Sequence, residues 1–98
     1  MSLKHTEQID QLFRAILALR DLDECYQYFE DICTVKELLT IAQRMEVAKM
    51  LAAGSSYQQT IAQTGASSAT ISRVKRCLDY GEGGYSLILQ RLAEENAE

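Results

Sequence analysis

The chain has 98 residues, of which 47% are hydrophobic, and carries a formal net charge of −4 at pH 7. A chain of this length and apolar content has room for one compact domain, so we expect a single domain over residues 1–98. No apolar run is long enough to span a membrane, and the amino end lacks the charged-then-apolar pattern of a secretory signal; both features predict a cytoplasmic protein with no membrane partner.

The cysteines and the histidine show no pattern typical of a reactive site. Cys25, Cys33 and Cys77 are odd in number and lack C-x-x-C spacing, which argues against a disulfide framework and against a zinc site. We expect buried free thiols. With His5 as the one histidine, and with no paired carboxylates, nucleophile with base, or glycine-lysine phosphate loop at usable spacing, the sequence predicts no metal, no cofactor and no enzymatic activity.

An all-α fold of about six helices is expected, because proline is absent and apolar residues recur at spacings of three and four. Thr6 is the expected N-cap of a first helix that ends near Arg20. Asp21, with Glu24 three residues later, marks the start of a second helix.

The third predicted helix is apolar around most of its circumference. Thr34 and Glu37 form the expected capping box at its start, and Gly54 ends it. A chain this short has too little mass to cover such a helix, so a second copy is the expected cover and we predict a homodimer. The apolar residues of this helix are Val35, Leu38, Leu39, Ile41, Ala42, Met45, Val47, Ala48, Met50 and Leu51.

A helix-turn-helix is predicted at about residues 56–79. Ser56 and Gln59 form a capping box for a helix that ends before Gly65, and Ser67 caps the next helix. The apolar residues of this next helix share one face, and the other face or its edge carries Ser68, Ala69, Ser72 and Arg76. After a flexible "GEGG" connection at residues 81–84, a last helix is expected over residues 85–95, with a frayed acidic tail at residues 93–98.

Positive charge is concentrated in the middle of the chain. Residues 36–76 hold six basic and two acidic side chains, whereas residues 1–35 hold three basic and seven acidic ones, and residues 77–98 hold one basic and five acidic ones. Together with the motif, this distribution predicts binding to double-stranded DNA. The predicted DNA-binding residues are Ser56, Tyr57, Gln58, Ser67, Ser68, Ala69, Thr70, Ser72, Arg73, Lys75 and Arg76. For Tyr57, packing on the preceding helix is an equal alternative.

Residues 34–78 resemble the Trp repressor superfamily, and within it the small bacterial proteins described as Trp-repressor-related. The segment "CTVKELLTIAQRMEVAKMLAAG" is similar to the long helix of that family, and "SYQQTIAQTGASSATISRVKRCL" is similar to its helix-turn-helix. The pairing of "GASSATISR" with the upstream "TVKELLTIAQR" is the more discriminating feature. The resemblance implies an intertwined all-helical homodimer whose two reading helices are spaced about 34 Å apart.

An effector pocket is also implied by the resemblance. The founding member of the family senses tryptophan between two arginines, which match Arg44 and Arg73 here, and Thr34 matches a residue at the rim. Val74 stands where the repressor has glycine, and Cys77 where it has serine. Because a branched Val74 would fill the space of the indole ring, we expect a smaller corepressor, or none, rather than tryptophan. The alternative for both arginines is a phosphate contact or an ion pair, for example with Glu46 or Asp79.

Two residue types depart from the usual helix-turn-helix pattern. Ile61 stands where alanine is general, and Thr60 and Thr64 stand where larger apolar groups are usual, so we expect the two helices to pack more loosely or farther apart. Two functions remain open. The first is a sequence-specific DNA-binding transcriptional regulator, a repressor, that acts as a homodimer. The second is a protein-interaction module that keeps the helical fold without binding DNA, which the overall acidity and Ile61 support.

Overall fold

The computed structural model describes residues 3–96, and these residues form helices and no strands. The all-α prediction is therefore confirmed. The six helices are α1 (Glu7–Leu17), α2 (Leu22–Ile32), α3 (Val35–Ala52), α4 (Tyr57–Thr64), α5 (Ser68–Tyr80) and α6 (Gly84–Asn96).

The break between α1 and α2 comes earlier than the sequence predicted. The Thr6 hydroxyl accepts the backbone N–H of Ile9 at 3.2 Å, as expected for an N-cap. The helix ends at Leu17 rather than near Arg20. The backbone N–H of Arg20 donates to the carboxylate of Glu24 at 2.9 Å, and so it is not available to extend α1.

Both ends of α3 are fixed by the residues that the sequence singled out. Thr34 N–H donates to the Glu37 carboxylate at 2.8 Å, and Glu37 N–H donates to the Thr34 hydroxyl at 3.1 Å. The backbone N–H of Thr34, and then its side chain, hold the pKa of Glu37 below its ordinary value. At the other end Gly54 has a φ of 92°, and Ser55 N–H donates to the Met50 carbonyl at 3.0 Å, which is a Schellman ending.

The connection to α6 is one residue shorter than predicted, because α6 begins at Gly84 instead of Tyr85. The first part of the predicted acidic tail is helical as far as Asn96. The last two residues of that tail lie outside the described residues. The structure therefore corrects the expectation of a frayed tail for residues 93–96.

The chain divides into two compact units, one ending at Leu39 and the other beginning at Thr40. The second unit contains the hydrophobic core. Its buried residues come from the second half of α3, from the segment between α4 and α5, and from α5, and Leu51, Leu78 and Tyr85 pack against them. This core consists of Val47, Ala48, Ala66, Ile71 and Val74.

The first unit has no core of its own. None of its described residues is buried, although α1 carries an apolar stripe and α2 an edge-to-face aromatic pair between Tyr28 and Phe29, with ring centroids 5.7 Å apart. Large apolar side chains such as Phe13 and Leu17 are exposed by 49% and 84%. Much of the apolar surface of the described residues in the first unit is therefore exposed to solvent.

The expected burial of the three cysteines is wrong for Cys77, which is exposed, while Cys25 and Cys33 are half-buried. Ile71 and Val74 turn one side of α5 toward the core. The helical rotation places position 77 roughly a quarter turn away from that side. The thiol of Cys77 therefore lies at the edge of the helix rather than in its packed face.

Replacing Gly65 by alanine should lower the free energy of unfolding by about 1 kcal/mol, because Gly65 has a φ of 70° and alanine is strained in that region. No atom would clash with the added methyl group, so strain is the expected cause. The matched control is Gly84→Ala, at a site with open space and without a positive φ. Chemical denaturation of the three proteins measures both effects. Equal stabilities for the two variants would contradict the assignment.

Candidate DNA-binding surface

The amino end of α4 is organised by a reciprocal capping box. Ser56 N–H donates to Gln59 Oε1 at 2.9 Å, and Gln59 N–H donates to Ser56 Oγ at 3.1 Å. The predicted contact residues Ser56, Tyr57 and Gln58 are all exposed at this end. Tyr57 is exposed by 42%, so much of its ring is open to solvent.

Between α4 and α5 the chain turns sharply at residues 64–66, which we call the corner. Gly65 adopts the left-handed conformation, with its N–H donating to the Ile61 carbonyl at 2.9 Å. The Thr64 hydroxyl donates to the Thr60 carbonyl at 2.6 Å and accepts the Ala66 N–H at 3.1 Å. Ala66 is only 3% exposed and belongs to the core. The corner is thus held by hydrogen bonds and by burial together.

The departures from the usual motif are accommodated by polar contacts. Thr60 is fully buried, and its hydroxyl donates to the Ser56 carbonyl at 2.8 Å. A buried hydroxyl with a partner avoids the cost of an unsatisfied polar group. Ile61, in contrast, is 41% exposed. The Ile61 side chain is therefore only partly covered by its neighbours.

The start of α5 is capped as the sequence predicted. Ser67 Oγ accepts the Thr70 N–H at 3.1 Å and also donates to the Thr70 hydroxyl at 3.1 Å. Ile71 and Val74 are 0% and 1% exposed, and they anchor the helix on the core. The predicted contact residues Ser67, Ser68, Ala69, Ser72, Arg73 and Arg76 are exposed, and Thr70 and Lys75 are half-buried.

The surface formed by α4 and α5 carries no negative charge until the last turn of α5. No aspartate or glutamate occurs between Glu46 and Asp79. The Lys75 ammonium lies 3.4 Å from the Asp79 carboxylate, and both side chains are more than 40% exposed. An ion pair this exposed contributes little to stability, so Lys75 remains able to exchange its partner for another anion. The sequence suggested Asp79 as an ion-pair partner for Arg44 or Arg73, but in the structure Asp79 pairs with Lys75.

Three of the predicted effector residues interact electrostatically with Tyr85, which the sequence did not single out. Tyr85 packs on the core and its pKa is raised, first by burial and then by the charge of Cys77, while Arg44 and Arg73 act in the opposite direction. Arg44 is half-buried, and its Nε is buried without a hydrogen-bond partner among residues 3–96. An aromatic residue directly after the "GEGG" segment is the signal that points to this position.

The remaining effector candidates are placed differently. Val74 is 1% exposed and is part of the core, so its methyl groups are already in contact with protein. Thr34 belongs to the unit that ends at Leu39, where it caps α3. Arg44, Arg73 and Cys77 are thus the effector candidates that interact electrostatically with Tyr85.

The described part of the chain offers neither a metal site nor a membrane span. Residues 3–96 contain no group of three or more His, Cys, Asp and Glu side chains arranged to hold a metal ion. None of the helices formed by these residues is both long enough and apolar enough to cross a membrane.

The chain matches known proteins over most of its length. The family model for the Trp repressor protein matches residues 7–93. An uncharacterized protein of Bacillus subtilis strain 168, YerC, is 52% identical over 92 residues, which is 94% of this chain and 88% of YerC.

Solved structures agree with this sequence match. A crystal structure of a candidate Trp repressor from Staphylococcus aureus has a TM-score of 0.89 and 47% identity, and covers 91% of this chain and 89% of that one. A TrpR-like protein from Eubacterium eligens ATCC 27750 has a TM-score of 0.88 and 53% identity, and covers 90% of this chain and 91% of that one. The chain therefore belongs to the Trp repressor family, a family of DNA-binding regulators.

Proposed function

We propose that this protein is a sequence-specific DNA-binding transcriptional repressor that acts in the cytoplasm as a homodimer and presents α4 and α5 to duplex DNA. One observation carries the proposal. The exposed face of α5 begins with three short side chains and continues with two exposed arginines, on a segment from residue 47 to residue 78 that has no acidic side chain. Family membership supports the same function.

The short side chains are suited to reading base edges. A major groove about 12 Å wide admits an α-helix when the side chains that face the bases allow its backbone to come close. Ser68, Ala69 and Ser72 meet that requirement, and each is exposed. Their hydroxyl and methyl groups can contact bases directly or through water. With readers this short, water-mediated contacts and DNA shape carry much of the specificity.

Two groups of residues are suited to holding the DNA backbone. The amino end of α4, at Ser56, Tyr57 and Gln58, offers hydroxyl, amide and backbone N–H groups to phosphate, and the helix dipole favours an anion there. On the second half of α5, Arg73 and Arg76 are exposed cations. Lys75 adds a third cation if phosphate replaces Asp79 as its partner. These contacts position α5 and supply the salt-dependent part of the affinity.

A second copy of the chain is the proposed cover for the exposed apolar surface. In α3, Val35, Leu39 and Ile41 are exposed by 74%, 65% and 52%. None of the described residues in the unit ending at Leu39 is buried. An apolar surface of this extent is typical of an interaction site. In an intertwined dimer each chain would form a single domain over residues 1–98, with the two α5 helices about 34 Å apart.

A second function is favoured by a pair of residues on α4. Tyr57 and Ile61 are one helical turn apart and are exposed by 42% and 41%. An apolar pair on the outer side of a DNA-binding motif also suits a protein partner. A protein-interaction module that does not bind DNA is therefore the alternative, and the salt dependence of DNA binding distinguishes the two.

Binding to random-sequence DNA should weaken steeply as salt concentration rises, because each phosphate contact releases counterions. Changing Arg73, Lys75 or Arg76 singly to alanine should lower the log–log slope by about 0.9 for each phosphate that the variant no longer binds. The matched control is Arg91→Ala, since Arg91 is exposed on α6 outside the proposed surface. Fluorescence anisotropy with a labelled duplex measures the slopes. Affinity that does not change with salt would instead support the protein-interaction module.

The change Leu39→Glu should convert the dimer into monomers or an unfolded chain at micromolar concentration, because it places a charge in the proposed apolar interface. Leu39 is 65% exposed in the single chain, so the same change in a monomeric protein would have little effect on folding. The control is Gln11→Glu, at an exposed polar position of α1. Sedimentation equilibrium measures the mass. A wild-type protein of 11.0 kDa would contradict the dimer.

Tryptophan at 1 mM should leave the melting temperature unchanged. Val74 is a branched core residue at the position where the founding member of the family has glycine, so its side chain would fill the space of the indole ring. Any ligand that binds the folded state at a concentration of 100 times its Kd adds about 2.7 kcal/mol of stability. Differential scanning fluorimetry with tryptophan and with smaller amino acids tests this expectation. An upward shift with tryptophan would show that the pocket accepts it.

A further inference from the structure

The carboxyl end of α4 makes a hydrogen bond that the helix itself does not supply. The last carbonyls of a helix have no donor from a following turn, and they need another partner or water. At Thr64 this partner is the Gln43 side chain, whose Nε2 donates to the Thr64 carbonyl at 3.2 Å. The bond is partly buried, and it joins residues 21 positions apart in the sequence. It therefore ties the end of α4 to α3.

This tether acts at the point where the chain changes direction. The Thr64 hydroxyl already donates to the Thr60 carbonyl and accepts the Ala66 N–H. With Gln43 bound to its carbonyl, Thr64 has both of its oxygen atoms engaged within the protein. Ser67, the cap of α5, comes three residues after Thr64. The position of the corner relative to α3 thus sets where α5 begins.

Core packing on the same side of α3 strengthens this arrangement. Val47 lies one turn after Gln43 and is fully buried against Ala66 and Ile71, which follow the corner. Apolar packing brings α3 and α5 together, but it has no strong direction of its own. A hydrogen bond does have a preferred direction, so the amide can fix an orientation that packing alone leaves loose.

We propose that Gln43 is a positioning residue for DNA reading: its amide holds the corner against α3 and thereby orients the exposed face of α5. The proposal rests on the DNA-binding function proposed above. Gln43 is uncharged and is not one of the proposed DNA contacts. Loss of the Gln43 amide should therefore reduce discrimination between DNA sequences. The part of the affinity that comes from phosphate contacts should not change, because it depends on charge.

The test compares the wild type with Gln43→Met, which keeps the length of the side chain and removes the donor. Affinity for a duplex selected from a random pool should fall by about threefold to tenfold, the range expected for one net hydrogen bond. Affinity for random-sequence DNA and its salt dependence should stay the same. Gln43→Glu, which places a carboxylate against the Thr64 carbonyl, should lower specific affinity further.

A matched control separates this role from a general loss of stability. Gln90→Met removes another glutamine amide donor, whose bond to Glu94 at 3.3 Å is exposed on α6. This variant should keep wild-type specific and random-sequence affinities. All proteins are compared by circular dichroism at the assay temperature. The proposal is overturned if Gln43→Met leaves the ratio of specific to random-sequence affinity unchanged, or if both affinities fall by the same factor.

Hydrogen exchange tests the tether without DNA. Gln43→Met should speed exchange of the Gly65 amide, which donates to the Ile61 carbonyl, and of the Ala66 amide, which donates to the Thr64 hydroxyl. The Thr70 amide at the α5 cap should change little. Unchanged exchange at the corner would show that the amide does not hold it, and would overturn the proposal even if the wild type binds DNA. If the wild type selects no sequence from the pool, the proposed function fails, and the role of Gln43 in reading DNA fails with it. Faster exchange in that case would still identify the tether.

Discussion

The structure depends on the packing of α5 against the second half of α3 through the corner between α4 and α5. Ile71 and Val74 are buried against Val47, Ala48 and Ala66, and these five residues form the core of the second unit. Burying apolar surface stabilises a fold by about 25 cal/mol per Å², which makes this packing the main source of stability in the second unit. Because one side of α5 packs against the core, the helical repeat places Ser68, Ala69 and Ser72 on the exposed side.

Local polar chemistry gives this packing its direction. Serine caps begin both helices of the motif, and Gly65 supplies the left-handed residue that the turn between them requires. The hydroxyls of Thr60 and Thr64 donate to the carbonyls of Ser56 and Thr60, hydrogen bonds that apolar side chains at these positions could not make. The absence of acidic side chains from residue 47 to residue 78 then makes the outer surface suitable for a polyanion, although the whole chain is acidic.

Features that depend on neighbouring residues in the sequence were predictable. Helix starts at Thr6, Asp21, Thr34, Ser56 and Ser67 follow from capping residues, because a cap acts within a single turn. The split between buried and exposed residues of α5 follows from its helical repeat.

Features that depend on distant contacts were not predictable. The contacts of Gln43 and Tyr85 join segments far apart in the sequence. The exposed apolar side chains of α3 show the same limit, since a single chain does not contain the surface that we propose covers them.

The most direct measurement of the central claim is an NMR titration of the ¹⁵N-labelled protein with a duplex selected from a random pool. The account predicts that the largest amide shifts occur at Ser68, Ala69 and Ser72, with further shifts at the start of α4. Shifts confined to other helices, with α5 unchanged, would contradict it.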